Sequence, residues 1–233
     1  METDRLDQQE KAQLLAYLEQ FISENKLQLF NNIIENRTRH ITVVLEDIYQ
    51  SQNASAVIRT CDCFGIQDVH IIENRNSYSI NPDVALGASK WLRLKKYNQQ
   101  EHNTLSCYES LREQGYRIVA TTPHKADTKL DELNFDGKLA LVFGTELEGL
   151  SGKAISHADE HVKIPMYGFT ESFNISVSAA IILHHLTEKL RASNIDWRLS
   201  ATEKTDTRLS WVRRVIRHPE IHEKEFLRKH MQK

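Results

Sequence analysis

The chain has few cysteines, no long apolar run and no large excess of charge of either sign. Three cysteines in 233 residues (Cys61, Cys63 and Cys107) cannot build a disulfide framework. Cys61 and Cys63 stand one residue apart, and no neighbouring His or Cys completes a metal-ligand spacing. All three read as small buried residues in a reducing compartment, and no metal is expected. No apolar stretch approaches the roughly 20 residues that span a bilayer, so no membrane partner is expected. The first ten residues are polar and acidic, the wrong composition for a secretory signal. A cytoplasmic location follows as the expectation.

Charge of one sign is missing overall but not locally. The formal net charge is −2, from 30 Lys and Arg against 32 Asp and Glu, which on its own argues against a nucleic-acid partner. Residues 1–36, however, carry seven acids against three bases, and residues 191–233 carry eleven bases against six acids. A basic C-terminal segment suits an anion-facing patch as well as a solvated helical face.

Several common active-site signatures are absent. No G-x-G-x-x-G follows a strand, which removes the Rossmann dinucleotide site, and no G-x-S-x-G marks a hydrolase elbow. Gly144 and Gly149 have the spacing of a phosphate-binding loop, but Leu150 and Ser151 stand where Lys and Ser/Thr must be. His218-Pro-Glu-Ile-His222 does not match the zinc-protease pattern.

What is present alternates. Helical spacing of Leu6, Leu14, Leu15, Leu18, Phe21 and Ile22 predicts a helix over 4–24, with a second from Leu27 to Asn36. Short β-branched strands are expected at Ile41–Leu45, Val69–Ile72, Trp91–Tyr97, Arg117–Thr121, Leu139–Phe143 and Val162–Ile164. Helices at Ala54–Phe64, Leu105–Gln114, after Ser151 and at Asn174–Leu190 separate most of them, with Gly65 and Gly115 as C-terminal caps. This is an α/β fold with a mainly parallel sheet. Ser200–Thr207 reads as a linker before helices at Arg208–Arg217 and Glu220–Lys229. The implied division is a helical extension over 1–40, a central domain over 41–192 and a basic helical extension over 193–233.

Three segments carry chemistry. In Asn53-Ala-Ser-Ala-Val-Ile-Arg59-Thr60, Asn53 suits a helix N-cap at the ligand-binding edge of the sheet, and Arg59 could serve a substrate or pair with Glu46 or Glu146. Phe143-Gly-Thr-Glu-Leu-Glu-Gly-Leu150 links a strand to a helix. From Ile164 to Ile182 a strand ends in Pro165, a loop carries Ser172 and Asn174, and a helix of small residues follows. Small residues let a backbone or ligand approach closely, with polar atoms at the helix start.

In order and spacing these segments resemble the three motifs of the SpoU branch of the SPOUT RNA methyltransferases, over about residues 40–190. The flanks resemble the TrmH group, which methylates a guanosine ribose 2′-hydroxyl in the tRNA D-loop. The resemblance implies a parallel α/β sheet with a C-terminal trefoil knot, and an obligate homodimer whose partner subunit completes each site. S-adenosylmethionine would be held around Thr121, Gly144, Ile164, Met166 and Phe173. Arg59 would act on the ribose hydroxyl, with Asn53, Glu146, Ser172 and Asn174 around it. Since a guanidinium is a poor base, its role is either proton acceptor or electrostatic and phosphate-binding group. Arg37, Arg39, Arg213, Arg214 and Arg217 are the candidate RNA contacts. Trp197, Trp211 and Phe226 read as packing residues. Where relatives approach the first asparagine with a His-Lys-Pro-His-like run, this chain has Ile48-Tyr-Gln-Ser-Gln. The alternatives are a ribosomal-RNA ribose methyltransferase and a non-catalytic RNA-binding protein of the same fold.

Overall fold

The computed structural model describes residues 6–122, 128–145 and 147–230. Residues 38–197 form one compact unit; residues 1–37 and 198–233 form another.

The first unit contains all seven strands of one parallel sheet: β1 (Ile41–Glu46), β2 (Asp68–Ile72), β3 (Arg93–Tyr97), β4 (Arg117–Thr121), β5 (Thr128–Lys129), β6 (Leu139–Phe143) and β7 (Glu160–Lys163). Their spatial order is β3-β2-β1-β6-β4-β7-β5. β1 and β6 are buried along their whole length, as strands covered on both faces must be. Their β-branched and apolar residues therefore form continuous runs rather than an alternating pattern.

Helices cover the sheet: α3 (Ser51–Cys63), α4 (Pro82–Ala85), α5 (Asn103–Glu113), α6 (Gly152–Ser156) and α7 (Ile175–Ala192). On one face, α3 and α7 share a core that includes Val57, Ile58, Leu141, Phe143, Ala179, Ile182 and Leu183. On the other, Cys107, Tyr108 and Leu111 of α5 pack on Val44, Ile72 and Val142. Each such buried aliphatic side chain contributes about 1.5–3 kcal/mol. Burial also fixes the thiol of Cys107, whose pKa is pushed up to about 12. Cys61 is buried as expected, but Cys63 is exposed on the outer face of α3.

The second unit is helical: α1 (Gln8–Glu19), α2 (Glu24–Ile34), α8 (Ala201–Val215) and α9 (Pro219–His230). The helix expected over 4–24 is shorter, because Ser23 accepts a hydrogen bond from the Lys26 amide and starts α2. Ser200–Thr207 is not a linker. Ser200 and Glu203 form a capping box, each side chain taking the other's backbone N–H, and the polar residues behind them are the first two turns of α8. Trp211 and Phe226 are buried here, and Arg37 lies over the Trp211 ring at 5.4 Å. Ion pairs tie the helices, among them Lys11–Asp206, Lys204–Glu35, Arg213–Glu223 and Arg208–Glu19. Among the described residues, no helix is long and apolar enough to cross a membrane.

Candidate cofactor and active site

A cavity of about 460 Å³ opens at the C-terminal ends of β4, β6 and β7. In a parallel sheet all strands point their C-terminal ends to one edge, and ligands of such folds bind in crevices there. Thr121 and Thr122 come from the end of β4, Phe143 and Gly144 from β6, and Lys163 and Ile164 from β7. The cavity also receives Met166, Ser172 and Phe173. All five residues expected at the cofactor therefore share one wall system, although they lie up to 52 positions apart in sequence.

Gly144 is required by packing. A Cβ built there would sit 2.2 Å from the Gly149 carbonyl oxygen and 2.4 Å from the Leu150 nitrogen. These two stretches close on each other because Thr145 and Gly149 exchange backbone hydrogen bonds of 2.9 and 3.1 Å. Gly149 takes a φ of 68°, which a side chain would strain. The result is a tight loop presenting backbone to the cavity, with the glutamate at 148 on its surface. Glu146 lies outside the described residues.

The loop leaves through Ser151, which caps α6 by accepting from the Ala154 amide at 3.1 Å. Ser151 also donates from its hydroxyl (2.8 Å) and its N–H (2.9 Å) to Glu46, a carboxylate only 2% exposed at the end of β1. Thr104, in the first turn of α5, donates to the same Glu46 oxygen as the Ser151 hydroxyl, at 2.6 Å. Glu46 is thus committed and is no partner for Arg59. Its charge, after burial itself, also helps to raise the pKa of Tyr108.

The polar pair of the first and third motifs does meet. Asn174 donates to Asn53 at 3.2 Å, while its own oxygen accepts from the N–H (2.9 Å) and hydroxyl (2.6 Å) of Ser176 and so caps α7. Asn53, expected as an N-cap, sits instead in the first turn of α3; Gln50 is the N-cap and makes no side-chain capping bond. That frees the Asn53 amide to donate to Gln50 at 3.1 Å and to receive Asn174. Arg59, on the same helix, is exposed and forms no ion pair among the described residues; it is not part of the cavity wall.

The five candidate RNA-binding arginines divide. Arg37 is buried, Arg39 pairs with Asp68 at 3.0 Å, and Arg213 pairs with Glu223. Arg214 and Arg217 are exposed. Sequence reading missed Glu46, Thr104 and Ser151 as site-supporting residues. The available signal was an acid closing an otherwise apolar strand, Ile-Thr-Val-Val-Leu-Glu.

Residues 40–184 match the model of the SpoU rRNA methylase family. The chain belongs to the SpoU methylase family. A tRNA (guanosine(18)-2′-O)-methyltransferase of Borreliella burgdorferi is 45% identical over 204 residues, covering 88% of this chain and 92% of that protein. The crystal structure of the A. aeolicus TrmH/SpoU tRNA modifying enzyme, 28% identical, superposes with a TM-score of 0.72 over 83% of this chain and 98% of that one. The SpoU methyltransferase AviRb from Streptomyces viridochromogenes, solved with AdoMet, shares the fold at a TM-score of 0.58 and 21% identity, over 70% of this chain and 65% of that one. The SpoU fold, a parallel α/β sheet, is therefore the fold of this protein.

Proposed function

We propose that this SpoU protein transfers a methyl group from S-adenosylmethionine to the ribose 2′-hydroxyl of a guanosine in the tRNA D-loop, at position 18 as in the name of the Borreliella burgdorferi relative. The observation that carries the reading is the convergence of the second and third motifs on one cavity, in a chain that matches a tRNA guanosine-18 methyltransferase over nearly its full length.

The cavity fits the cofactor. About 460 Å³ lies within the range of pockets that enclose ligands of this size. Phe143, Leu150, Ile164 and Ile182 give an apolar slot for a purine, and Thr121, Gly144, Met166 and Phe173 would flank it. When bound, S-adenosylmethionine supplies an electrophilic methyl group. The protein's remaining work is to align the hydroxyl and remove its proton. Arg59 would either take the hydroxyl proton itself as a neutral guanidine, or stabilise the developing alkoxide or hold the adjacent phosphate while solvent water takes the proton; each suits an exposed guanidinium with no internal partner among the described residues. Ser172 and Asn174 would order the loop between the substrates, with Asn53 fixing Asn174, and Glu146 is retained in the proposed set.

Leu147, Tyr167 and Phe169 are almost completely exposed beside this site, and Phe173 and Val177 remain partly so. Clustered apolar exposure of that kind marks an interface. We assign it to a homodimer in which the partner subunit's surface completes the site near Arg59. Substrate RNA would meet Arg214 and Arg217, in the cytoplasm where tRNA resides.

The test is transfer of labelled methyl from S-adenosylmethionine to unmodified tRNA and, separately, to ribosomal RNA, followed by nuclease digestion and mass spectrometry. A 2′-O-methylguanosine in the D-loop is the expected product. Label confined to ribosomal RNA, the substrate in the family model's own description, would overturn the tRNA assignment. Label in neither would leave an RNA-binding protein without chemistry. Arg59→Ala is expected to abolish turnover while leaving cofactor affinity within about twofold.

A further inference from the structure

We infer that Glu46 is a positioning residue for the cofactor, acting through Ser151 on the loop from Gly144 to Leu150; this rests on the reading of the cavity as the S-adenosylmethionine site. The loop is held at its entrance by β6, whose last residue, Phe143, is paired with Leu45 of β1. At its exit it is held by Glu46, the next residue of the same strand. Both ends of the cofactor loop therefore refer to the centre of the sheet.

The hydrogen count shows why a carboxylate is needed. Thr104 Oγ1 accepts from Asn74 Nδ2 at 3.0 Å, so its single hydrogen goes to Glu46. Ser151 Oγ accepts from the Ala154 amide, so its hydrogen also goes to Glu46, and the Ser151 N–H makes the third bond. Three donors converge on one buried group, and only an acceptor without hydrogens satisfies all of them. An amide in the same place must turn one N–H against a donor. With its oxygen on the two hydroxyls, its NH2 faces the Ser151 N–H and pushes away the residue that follows Gly149 and Leu150.

The network extends to a second loop. Asp47, at a positive φ of 53°, accepts from the amides of Asn74 (2.7 Å) and Arg75 (2.8 Å). Asn74 then reaches Thr104, and Arg75 meets Glu148 at 3.1 Å on the surface of the cofactor loop. Glu46 thus sits where the two loops and the starts of α5 and α6 join.

The experiment compares wild type, Glu46→Gln, Ser151→Ala and the double variant. It reads S-adenosylmethionine and S-adenosylhomocysteine affinity by calorimetry, KM and kcat for methyl transfer, and Tm without cofactor. Glu46→Gln is expected to weaken cofactor binding and raise its KM about tenfold, with kcat at saturating cofactor within about twofold of wild type. Because Glu46 acts on the loop through Ser151, the losses of the two single variants should overlap, and the double variant should lose less affinity than their product. A folded Glu46→Gln protein with wild-type cofactor affinity, or a double variant whose losses multiply, would overturn the inference. If Glu46→Gln does not fold, Ser151→Ala decides: severalfold weaker binding supports the inference and unchanged binding refutes it. Wild-type protein that binds no S-adenosylmethionine would instead overturn the function on which it rests.

Discussion

Replacing Gly144 by alanine puts a single methyl group where the cofactor loop closes on itself. The backbone at this position does not require positive φ, so alanine would be tolerated in open space. It would even gain about 0.4–1 kcal/mol by restricting the unfolded chain. The obstacle is contact. The new Cβ would meet the Gly149 carbonyl oxygen at 2.2 Å, its carbon at 2.3 Å and the Leu150 nitrogen at 2.4 Å, against 3.4–4 Å for ordinary contact. All three are backbone atoms, so no rotamer change relieves the clash. The opposing stretch can retreat by the required ångström only by breaking the Thr145–Gly149 pair or the Ser151–Glu46 bonds.

Overpacking of this kind costs about 1–3 kcal/mol, and a lost hydrogen bond to a charged group about 1.5–3 kcal/mol. After the entropic gain, a net loss of about 1.5–5.5 kcal/mol remains. For a domain of this size that lowers Tm by roughly 3–20 °C. Cofactor affinity should fall at least about tenfold, since the displaced backbone forms the cavity wall. Gly152→Ala is the matched control: it lies in the first turn of α6, has no positive φ and no atom within 4 Å of a new Cβ, and should leave Tm equal or slightly higher. Thermal unfolding and calorimetry of both variants measure the contrast. A Gly144→Ala protein as stable as wild type, with undiminished cofactor binding, would refute the packing account of this loop.

His70 is buried on β2 beside Lys95 and Arg93, with Asp68 and the hydroxyl of Tyr97 nearby; burial first, then those two cations, lower its pKa to about 3. The unfolded chain takes up a proton near pH 6.5 that the native state refuses, so stability is lost as pH falls from about 6.5 toward 3. Between pH 7 and pH 5 the loss attributable to this group is about 2 kcal/mol. Urea unfolding of His70→Gln should show a flatter acid limb over that interval, and an unchanged slope would remove His70 as its source. Ser200→Ala should cost about 1 kcal/mol, read as a fall in Tm, because it removes a capping box. Arg214→Ala with Arg217→Ala should weaken tRNA binding at moderate salt and reduce its salt dependence while leaving Tm alone. Arg213→Ala should instead lower Tm, since Arg213 pairs with the buried Glu223, and the reverse pattern would reassign both groups.

The strands of the sheet and the order of the three motifs were legible because both depend on local pattern. Ile41–Glu46 and Leu139–Phe143 are continuous apolar runs, and a parallel strand buried on both faces leaves that trace. The residues proposed for the cofactor were named from the family resemblance; Thr121, Gly144 and Ile164 all stand at or just beyond strand ends and line one cavity. Ser200–Thr207 looks like a linker because it is almost wholly polar, yet Lys204 and Asp206 pair with Glu35 and Lys11, Thr207 is buried, and a capping box between residues three apart starts the helix. Asn53 was misplaced by a few residues because Gln50, which lacks a side-chain capping bond, begins α3. Arg37 and Arg39 looked available because nothing local in sequence announces Trp211 or Asp68 as partners. Charge counts along a chain record how many bases exist, and only tertiary contacts record which are already used.

Glu46 illustrates the same limit from the other direction. An acid closing an apolar strand looks like the point where the chain returns to solvent, yet this one is 2% exposed. Burying an ionised carboxylate is tolerable only when donors replace its hydration, and here Thr104 and Ser151 supply them from positions 58 and 105 residues away. Those separations place the burden on the fold: only tertiary structure brings the starts of α5 and α6 to the carboxylate. The converse follows for the cofactor loop, whose closed shape depends on a residue that forms no part of the cavity wall. Gly144 lets the two loop stretches touch, and Glu46 holds Ser151, the residue just after them. Substitutions at either should therefore damage cofactor binding while sparing Arg59, whose exposed guanidinium depends on neither.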